Sequence, residues 1–133
     1  MKKLLSVFIA TLFLVGCAAP AEPEISYRQI TMDEAVAMME EEEGYIILDV
    51  RTAAEFNEKH IPGAINIPNE AIGTDAIPEL SDKDQLILVY CRSGNRSKQA
   101  SEKLVKLGYT NVVEFGGIID WPGETVTNEG GSL

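Results

Sequence analysis

Short apolar runs alternate along this chain with segments of helical periodicity. The runs at residues 45–48, 86–90 and 112–115 have the length and β-branched content of buried strands. Shorter strands are predicted at residues 26–30 and 64–67. Because strands that alternate with helices form parallel sheets covered on both faces, the pattern predicts an α/β fold with a mostly parallel sheet.

Two helix starts are marked by a threonine with a glutamate three residues later. Thr31 and Glu34 have the spacing of a capping box, in which each side chain bonds the other residue's backbone N–H. Thr52 and Glu55 repeat that spacing over a shorter second helix. Residues 69–85 are predicted to be a polar connection with a helical turn.

One cysteine lies where a central strand meets the next helix. The apolar run ends at Cys91. A helix follows, because Ala100, Leu104 and Leu107 recur on one face, and Ser97 is predicted to cap it. Backbone N–H groups at a helix N-terminus lack intrahelical partners and attract negative charge. The pattern therefore places Cys91 in a loop that favours an anion.

The composition of this loop favours a reactive thiolate over an inert buried thiol. The candidate substrate-binding residues are those of the loop itself, Arg92, Ser93, Gly94, Asn95 and Arg96. Their backbone N–H groups are predicted to converge on the sulfur, and Gly94 allows the tight path that this requires. The two arginines add permanent positive charge, which also stabilises the thiolate, the nucleophilic form of cysteine.

Three segments of the chain, in register, resemble the rhodanese family of sulfurtransferases. One is Cys-Arg-Ser-Gly-Asn-Arg-Ser at residues 91–97. Upstream, Leu-Asp-Val-Arg at 48–51 and His-Ile-Pro-Gly-Ala-Ile-Asn-Ile-Pro at 60–68 are similar to the family's earlier signature. Downstream, residues 116–121 contain the comparable Gly-Gly and tryptophan. The resemblance extends over about residues 28–121.

The resemblance implies a rhodanese-like three-layer α/β/α fold with a mostly parallel, five-stranded sheet. It also implies that Cys91 takes sulfur from thiosulfate or a similar donor as a persulfide and passes it to a thiol or protein acceptor. In the family, loop amides activate the cysteine without a histidine base, so His60 is expected to order the turn before Pro62. No metal or organic cofactor is implied.

Two other functions stay open. A rhodanese-like module can bind a partner or sense redox state without catalysis, although Cys91 is retained here. A cysteine phosphatase or arsenate reductase is disfavoured, because those families have one more residue between the cysteine and the arginine. The four residues between Cys91 and Arg96 suit a single sulfur atom better than a tetrahedral oxyanion.

Two charged residues at the end of a neighbouring strand have two interpretations. Asp49 and Arg51 could support the cysteine loop electrostatically, or form an ion pair that only fixes the connection from residue 49 to residue 60. The second interpretation is favoured, because buried charged residues are usually paired. Trp121 is expected to pack at the edge of the domain.

The first 16 residues resemble a bacterial lipoprotein signal peptide. Two lysines precede an apolar run that is too short to span a bilayer, for which about 20 residues are needed. Leu-Val-Gly-Cys at residues 14–17 resembles a lipobox, which makes Cys17 the lipidated residue. An ordinary secretory signal or an uncleaved anchor are the alternatives. The prediction is a protein anchored by lipid to a membrane of the bacterial cell envelope, facing the periplasm or the exterior.

The rest of the chain is predicted to hold one domain. Residues 17–25 are a proline-containing tether after the lipidated cysteine, residues 26–126 are the rhodanese-like domain, and residues 127–133 are a loose tail. Many family members continue with an apolar segment after the position of Trp121. The short polar sequence found here instead leaves the sulfur acceptor open.

Charge and cysteine count narrow the function further. The net charge is −10, and removal of the signal segment, with its two lysines, makes it more negative. Such a surface repels nucleic acid, which is therefore not an expected partner. With Cys17 acylated, Cys91 is the only thiol of the two cysteines in the sequence, so no disulfide within the chain is expected.

Overall fold

The fold is built on a parallel sheet, as the alternation of strands and helices predicts. The computed structural model describes Gly16 and residues 26–128. Over these residues the helices and strands are β1 (Arg28–Gln29), α1 (Met32–Glu41), β2 (Ile46–Asp49), α2 (Ala53–Glu58), β3 (Ile65–Asn66), β4 (Ile87–Cys91), α3 (Asn95–Lys106) and β5 (Val112–Gly117). The five strands lie in the order β1-β5-β4-β2-β3, and all neighbouring pairs are parallel.

The central strand β4 is buried along its whole length, because strands flank it and helices cover both of its faces. Ile87, Val89 and Cys91 face a core cluster that includes Ala100 and Leu104 of α3. Leu88 and Tyr90 face a second cluster, which contains residues of α1 and α2. The three-layer α/β/α prediction is confirmed, and Cys91 lies on the face covered by α3.

The first two helices begin where the sequence predicts. Thr31 and Glu34 form a complete capping box before α1, and Thr52 and Glu55 form another before α2. Each box satisfies N–H groups that would otherwise lack partners at the helix start. Because α2 follows β2 directly, its capping box lies at the carboxyl edge of the sheet, where Cys91 also lies.

The predicted cap of the third helix is wrong. The helix begins at Asn95, three residues earlier than a cap at Ser97 implies, and its N-cap is Gly94 with a φ of 116°. A left-handed glycine lets the chain turn into the helix immediately after the strand. Ser97 therefore lies inside the first helical turn, where it is fully buried.

The connection between β3 and β4 was predicted to be polar, but several of its side chains are apolar and lie in the core. Short 3-10 turns occupy Asn69–Ala71 and Pro78–Leu80. Ile72, Ile77 and Leu80 enter the core cluster on the α3 face. This segment therefore completes the core beneath α3 instead of only linking two strands.

The predicted boundary at residue 126 is also too early. Val126 forms an antiparallel bridge with His60, and the Asn128 N–H donates to the Asn57 carbonyl at 2.9 Å. Thr127 Oγ1 donates to the same carbonyl at 3.0 Å. Thr127 and Asn128 are thus bound to the end of α2 and are not a loose tail. The predictions for residues 129–133 fall outside the described residues.

The predicted signal peptide, lipidated Cys17 and tether likewise lie outside the described residues, apart from Gly16. Among the residues that are described, no helix is long and apolar enough to cross a membrane.

Candidate active site around Cys91

The sulfur of Cys91 lies in a buried pocket of hydrogen-bond donors. Cys91 is the last residue of β4 and is 1% exposed. The Gly94 N–H donates to its Sγ at 3.0 Å, and Ser97 Oγ lies 3.4 Å from the same atom. The short loop and the first turn of α3 therefore surround the sulfur, as the sequence predicts.

These donors favour the thiolate. Burial by itself raises the pKa of the Cys91 thiol, since it penalises the charged form. Hydrogen bonds from the Ser97 side chain and from the N–H groups of Ser97, Gly94 and Ser93 outweigh burial, so that the pKa of Cys91 lies below that of an ordinary cysteine. The predicted set of amides at 92–96 is therefore shifted: the donors extend to Ser97.

Arg96 is engaged by another side chain, which the sequence analysis did not assign to the site. Its guanidinium donates to both carboxylate oxygens of Glu55, at 2.7 and 3.0 Å. The hydrogen bond with Arg96 lowers the pKa of Glu55 to about 2, against a smaller opposing effect of burial. The ion pair joins α2 to α3 across the carboxyl edge of the sheet. Cys91 also contributes to the raised pKa of Arg96, so the two charges act on each other.

Arg92 points to a cleft beside the cysteine loop. The cleft has a volume of about 400 Å³. It is lined by the basic residues Arg51, Lys59 and Arg92, the acidic residues Glu55 and Glu58, and the apolar residues Ile118 and Ile119. Ser93 and Asn95 are exposed on the same loop. The cleft therefore offers positive, negative and apolar contacts beside the cysteine loop, which it meets at Arg92.

Asp49 and Arg51 form a buried ion pair, which agrees with the favoured interpretation. Arg51 Nη2 lies 2.7 Å from Asp49 Oδ2, and the side chains are 4% and 0% exposed. The same nitrogen donates to the Lys59 carbonyl at 2.6 Å, which holds the end of the connection. Burial lowers the pKa of Arg51, but the contacts with Asp49 outweigh it and keep the guanidinium charged.

His60 and Trp121 have the structural roles that the sequence predicts. The His60 ring stacks on Phe56 with 3.7 Å between centroids, and its Nδ1 lies 2.8 Å from the Phe56 carbonyl oxygen. Trp121 packs against the second core cluster, and its indole N–H donates to the Glu124 carbonyl at 3.0 Å. Neither side chain has a described hydrogen bond to Cys91.

Besides Glu55, the sequence analysis did not assign Gly117 and Glu114 to the site. Gly117 pairs with Cys91 across a register shift between β4 and β5. A Cβ atom at Gly117 would overlap the Arg92 carbonyl group, so glycine is required for the cysteine loop to pass β5. Glu114, 3% exposed, accepts hydrogen bonds from Ser97 Oγ at 2.7 Å and from the Gly116 N–H at 2.8 Å. The sequence did offer a signal for Glu114, since it is a single acidic residue in the otherwise apolar strand β5.

The site combines a buried nucleophile with donors that stabilise a negatively charged atom at the same position. No group of three or more histidine, cysteine or acidic side chains is placed to hold a metal ion in the part of the chain that the structure describes. The buried sulfur and its donors suit nucleophilic attack by sulfur, with the resulting negative charge held by backbone and hydroxyl donors.

Comparison with known proteins agrees with this geometry. The family model described as a Rhodanese-like domain matches residues 31–123. Thiosulfate sulfurtransferase PspE of Escherichia coli is 38% identical over 73 residues, which cover 55% of this chain and 70% of that protein. Thiosulfate sulfurtransferase GlpE of Pseudomonas savastanoi is 34% identical over 105 residues, 75% of this chain and 95% of that one. The crystal structure of the BH2092 protein of Bacillus halodurans matches with a TM-score of 0.66 at 31% identity, over 79% of this chain and 80% of that one.

Gly117→Ala is expected to damage both stability and the site. The new methyl group must displace the Arg92 carbonyl, and overpacking of this kind costs about 1–3 kcal/mol. Urea unfolding should show that loss, and alkylation of Cys91 by iodoacetamide should slow. Gly73→Ala is the matched control, since nothing lies within 4 Å of a Cβ there. Equal behaviour of the two variants would contradict the proposed close approach.

Asp49→Asn is expected to destabilise the domain by about 3–5 kcal/mol, because it leaves the buried Arg51 charge without its partner. The measurement is the free energy of unfolding in urea. Glu58→Gln, which removes an exposed carboxylate nearby, should have little effect. Replacing both partners, Asp49→Asn with Arg51→Met, should recover part of the loss. A single-variant loss below about 1 kcal/mol, the range of an exposed pair, would contradict this assignment.

Proposed function

The chain belongs to the rhodanese-like domain family, and we propose that it is a sulfurtransferase that works through a persulfide on Cys91. The observation that supports this most directly is the buried sulfur, which receives the Gly94 N–H at 3.0 Å and whose pKa is lowered by the surrounding donors. A thiolate in that position is both a nucleophile and the attachment point for a second, negatively charged sulfur atom.

The first half of the reaction loads the cysteine. The Cys91 thiolate attacks the outer sulfur of thiosulfate or a similar donor, and the sulfur–sulfur bond of the donor breaks. Sulfite leaves with the electron pair of that bond, and the enzyme keeps a persulfide whose terminal sulfur carries one negative charge. The total charge is unchanged, and the loop residues 92–96 bind the donor and the persulfide.

The second half transfers the sulfur. A nucleophilic acceptor, cyanide in an assay or the thiolate of a small molecule or protein in the cell, attacks the terminal sulfur. The bond between the two sulfur atoms breaks, and its electron pair returns to Cys91 as the thiolate. The enzyme is thereby restored without a metal or organic cofactor, in a ping-pong cycle.

The cleft beside the loop supports both half-reactions. Arg92 and Lys59 provide positive charge for an anionic donor, whereas the charge of Arg51 is balanced by its buried partner Asp49. Ile119, 63% exposed at the same cleft, provides an apolar contact for a larger acceptor. Arg96 acts mainly through its charge, because Glu55 occupies its hydrogen-bonding fork.

The sequence also supports a location for this activity. Residues 1–16 have the features of a lipoprotein signal peptide, and the described domain begins only ten residues after that segment. Lipidation of Cys17 would anchor the domain to a membrane of the bacterial cell envelope through the tether at 17–25. The sulfur donor and acceptor would then be encountered outside the cytoplasm.

Persulfide formation is tested by intact mass. The full chain with Cys17→Ser, in which Cys91 is the only thiol, should gain one sulfur atom, about 32 Da, on incubation with thiosulfate, and should lose it on addition of cyanide. The reason is that the thiolate forms a covalent bond to the outer sulfur of the donor. The further variant Cys91→Ser should show no gain.

The alternative functions predict different results in this mass assay, in alkylation of Cys91 and in phosphatase activity. A binding or redox-sensing module would show no mass gain, and its Cys91 would alkylate at the rate of an ordinary thiol. A phosphatase would hydrolyse an aryl phosphate faster than it transfers sulfur. Either result would contradict the sulfurtransferase proposal.

Cys17→Ser tests the anchor. Since acylation requires the thiol of that cysteine, the substitution should abolish incorporation of a labelled fatty acid and leave unprocessed precursor in the cell. Cys91→Ser should be processed and lipidated normally, which controls for loss of a cysteine. Cleavage and release of the Cys17→Ser protein at the normal rate would indicate an ordinary secretory signal instead.

A further inference from the structure

A carboxylate lies directly behind the reactive cysteine, on the same face of the sheet. Glu114 of β5 is 3% exposed, and its strand neighbours are Gln29 of β1 and Val89 of β4, both without charge. Among the described residues, the side-chain ion pairs are Asp49–Arg51 and Glu55–Arg96, so Glu114 has no cation of its own there. A buried carboxylate without a cation is costly, which calls for an explanation.

The hydroxyl of Ser97 connects this carboxylate to the sulfur. Ser97 Oγ lies 2.7 Å from Glu114 Oε1 and 3.4 Å from Cys91 Sγ, and Ser97 itself is fully buried. The Gly116 N–H fixes the same carboxylate oxygen from the other side at 2.8 Å. The three side chains therefore form a continuous chain from sulfur to carboxylate, sealed from solvent.

The hydroxyl carries a single proton, and this restricts the charges at its two ends. If Cys91 and Glu114 were both ionised, both anions would require that one proton, and the nearby Gly94 carbonyl, 2.9 Å from Ser97 Oγ, competes for it as well. One anion would then lose the Ser97 hydrogen bond and keep only backbone N–H donors, which are Gly94 for Cys91 and Gly116 for Glu114. A second proton in the chain removes the conflict.

We propose that Glu114 is the proton acceptor for Cys91 and acts through the hydroxyl of Ser97. This inference rests on the proposed function, in which Cys91 must become a thiolate. In one state the Cys91 thiol donates to Ser97, and Ser97 donates to the Glu114 carboxylate. In the other state the Glu114 carboxylic acid donates to Ser97, and Ser97 donates to the Cys91 thiolate.

The two states have the same atoms and the same total charge. Moving from the first to the second, the S–H bond breaks and its proton goes to Ser97 Oγ, while the hydroxyl proton of Ser97 goes to Glu114. The thiolate is thereby formed inside the closed site without a base from solvent. Glu114 is a positioning residue in this arrangement, because it reaches the reacting sulfur only through Ser97.

Among the described residues, Tyr27 and Arg96 are titratable groups that interact electrostatically with the Cys91–Ser97–Glu114 series. Tyr27, which precedes β1, has a pKa raised by burial and then by Glu102 of α3 and by Glu114. Arg96 of α3 acts electrostatically on Cys91 but is paired with Glu55. Glu102 is exposed and has no described hydrogen bond to Ser97, so it provides a matched control for loss of a carboxylate on this side of the sheet.

The test is the pH dependence of the Cys91 thiolate, measured by its ultraviolet absorbance in the full chain with Cys17→Ser. Two groups that share one proton titrate as a pair. The thiolate signal of this parent protein should rise in two steps with a plateau between them. Glu114→Gln cannot accept a proton and removes a like charge, so its signal should rise in one step, about one pH unit or more below the parent's upper step.

Controls separate this role from a structural one. Glu102→Gln should keep both steps. If Glu114→Gln does not fold, the parent protein still decides the question by infrared spectroscopy. Alkylation of Cys91 with iodoacetamide at neutral pH should remove the carbonyl band of a protonated carboxylic acid, because the proton then leaves Glu114.

A single titration step in the parent protein, loss of the lower step in Glu102→Gln, or no infrared change on alkylation would each overturn the proposal. These measurements use no sulfur donor, so they are independent of the mass-gain experiment. A protein that forms the persulfide but titrates in one step would retain the proposed function and exclude the relay. A protein that titrates in two steps without gaining sulfur would retain the relay and exclude the function.

Discussion

Burial of a sulfur atom that must be able to carry negative charge is the constraint on which the rest of this structure depends. Cys91 is 1% exposed, so a thiolate there must receive hydrogen bonds from the protein, and backbone N–H groups supply them where β4 ends and α3 begins. The left-handed Gly94 starts the helix at once, so that its first-turn donors face the sulfur. Gly117 then lets β5 pass directly against the Arg92 carbonyl, because it has no Cβ atom to clash there. The site therefore depends on the packing of β4, α3 and β5 against one another.

Donors at the start of α3 stay near the sulfur only if α3 is held in place at the carboxyl edge of the sheet, and α2 contributes to this. Glu55 does this twice, since it completes the capping box of α2 and forms the ion pair with Arg96 of α3. Arg96 lowers the pKa of Glu55 to about 2, so the carboxylate is ionised at neutral pH and the ion pair is intact there. The charge of Arg96 thus remains near Cys91 while its hydrogen-bonding fork stabilises the helix pair.

The sequence was sufficient for the sheet, the capped helices and the position of Cys91, because these follow from local periodicity and spacing. Gly117 and Glu114 could not be assigned in the same way. Their roles depend on contacts with Arg92 and Ser97, residues far along the chain that only the parallel packing of β5 beside β4 brings close. The cap at Ser97 failed for a related reason: a serine before an apolar stripe is a common cap, but a left-handed glycine provided an earlier start.

The position of Glu114 is adverse for a thiolate unless the two groups share a proton. A carboxylate joined to the sulfur by one hydroxyl would raise the energy of the anion that every other element of the site stabilises. An apolar residue would fit the buried strand better, since both neighbours of Glu114 along β5, Val113 and Phe115, are apolar core residues. A shared proton resolves both problems, because the site then carries one negative charge in either state, with two hydrogen bonds to hold it. Between the two titration steps, the carboxylate is thus the counterpart of the buried sulfur: one of the two is ionised while the other holds the proton.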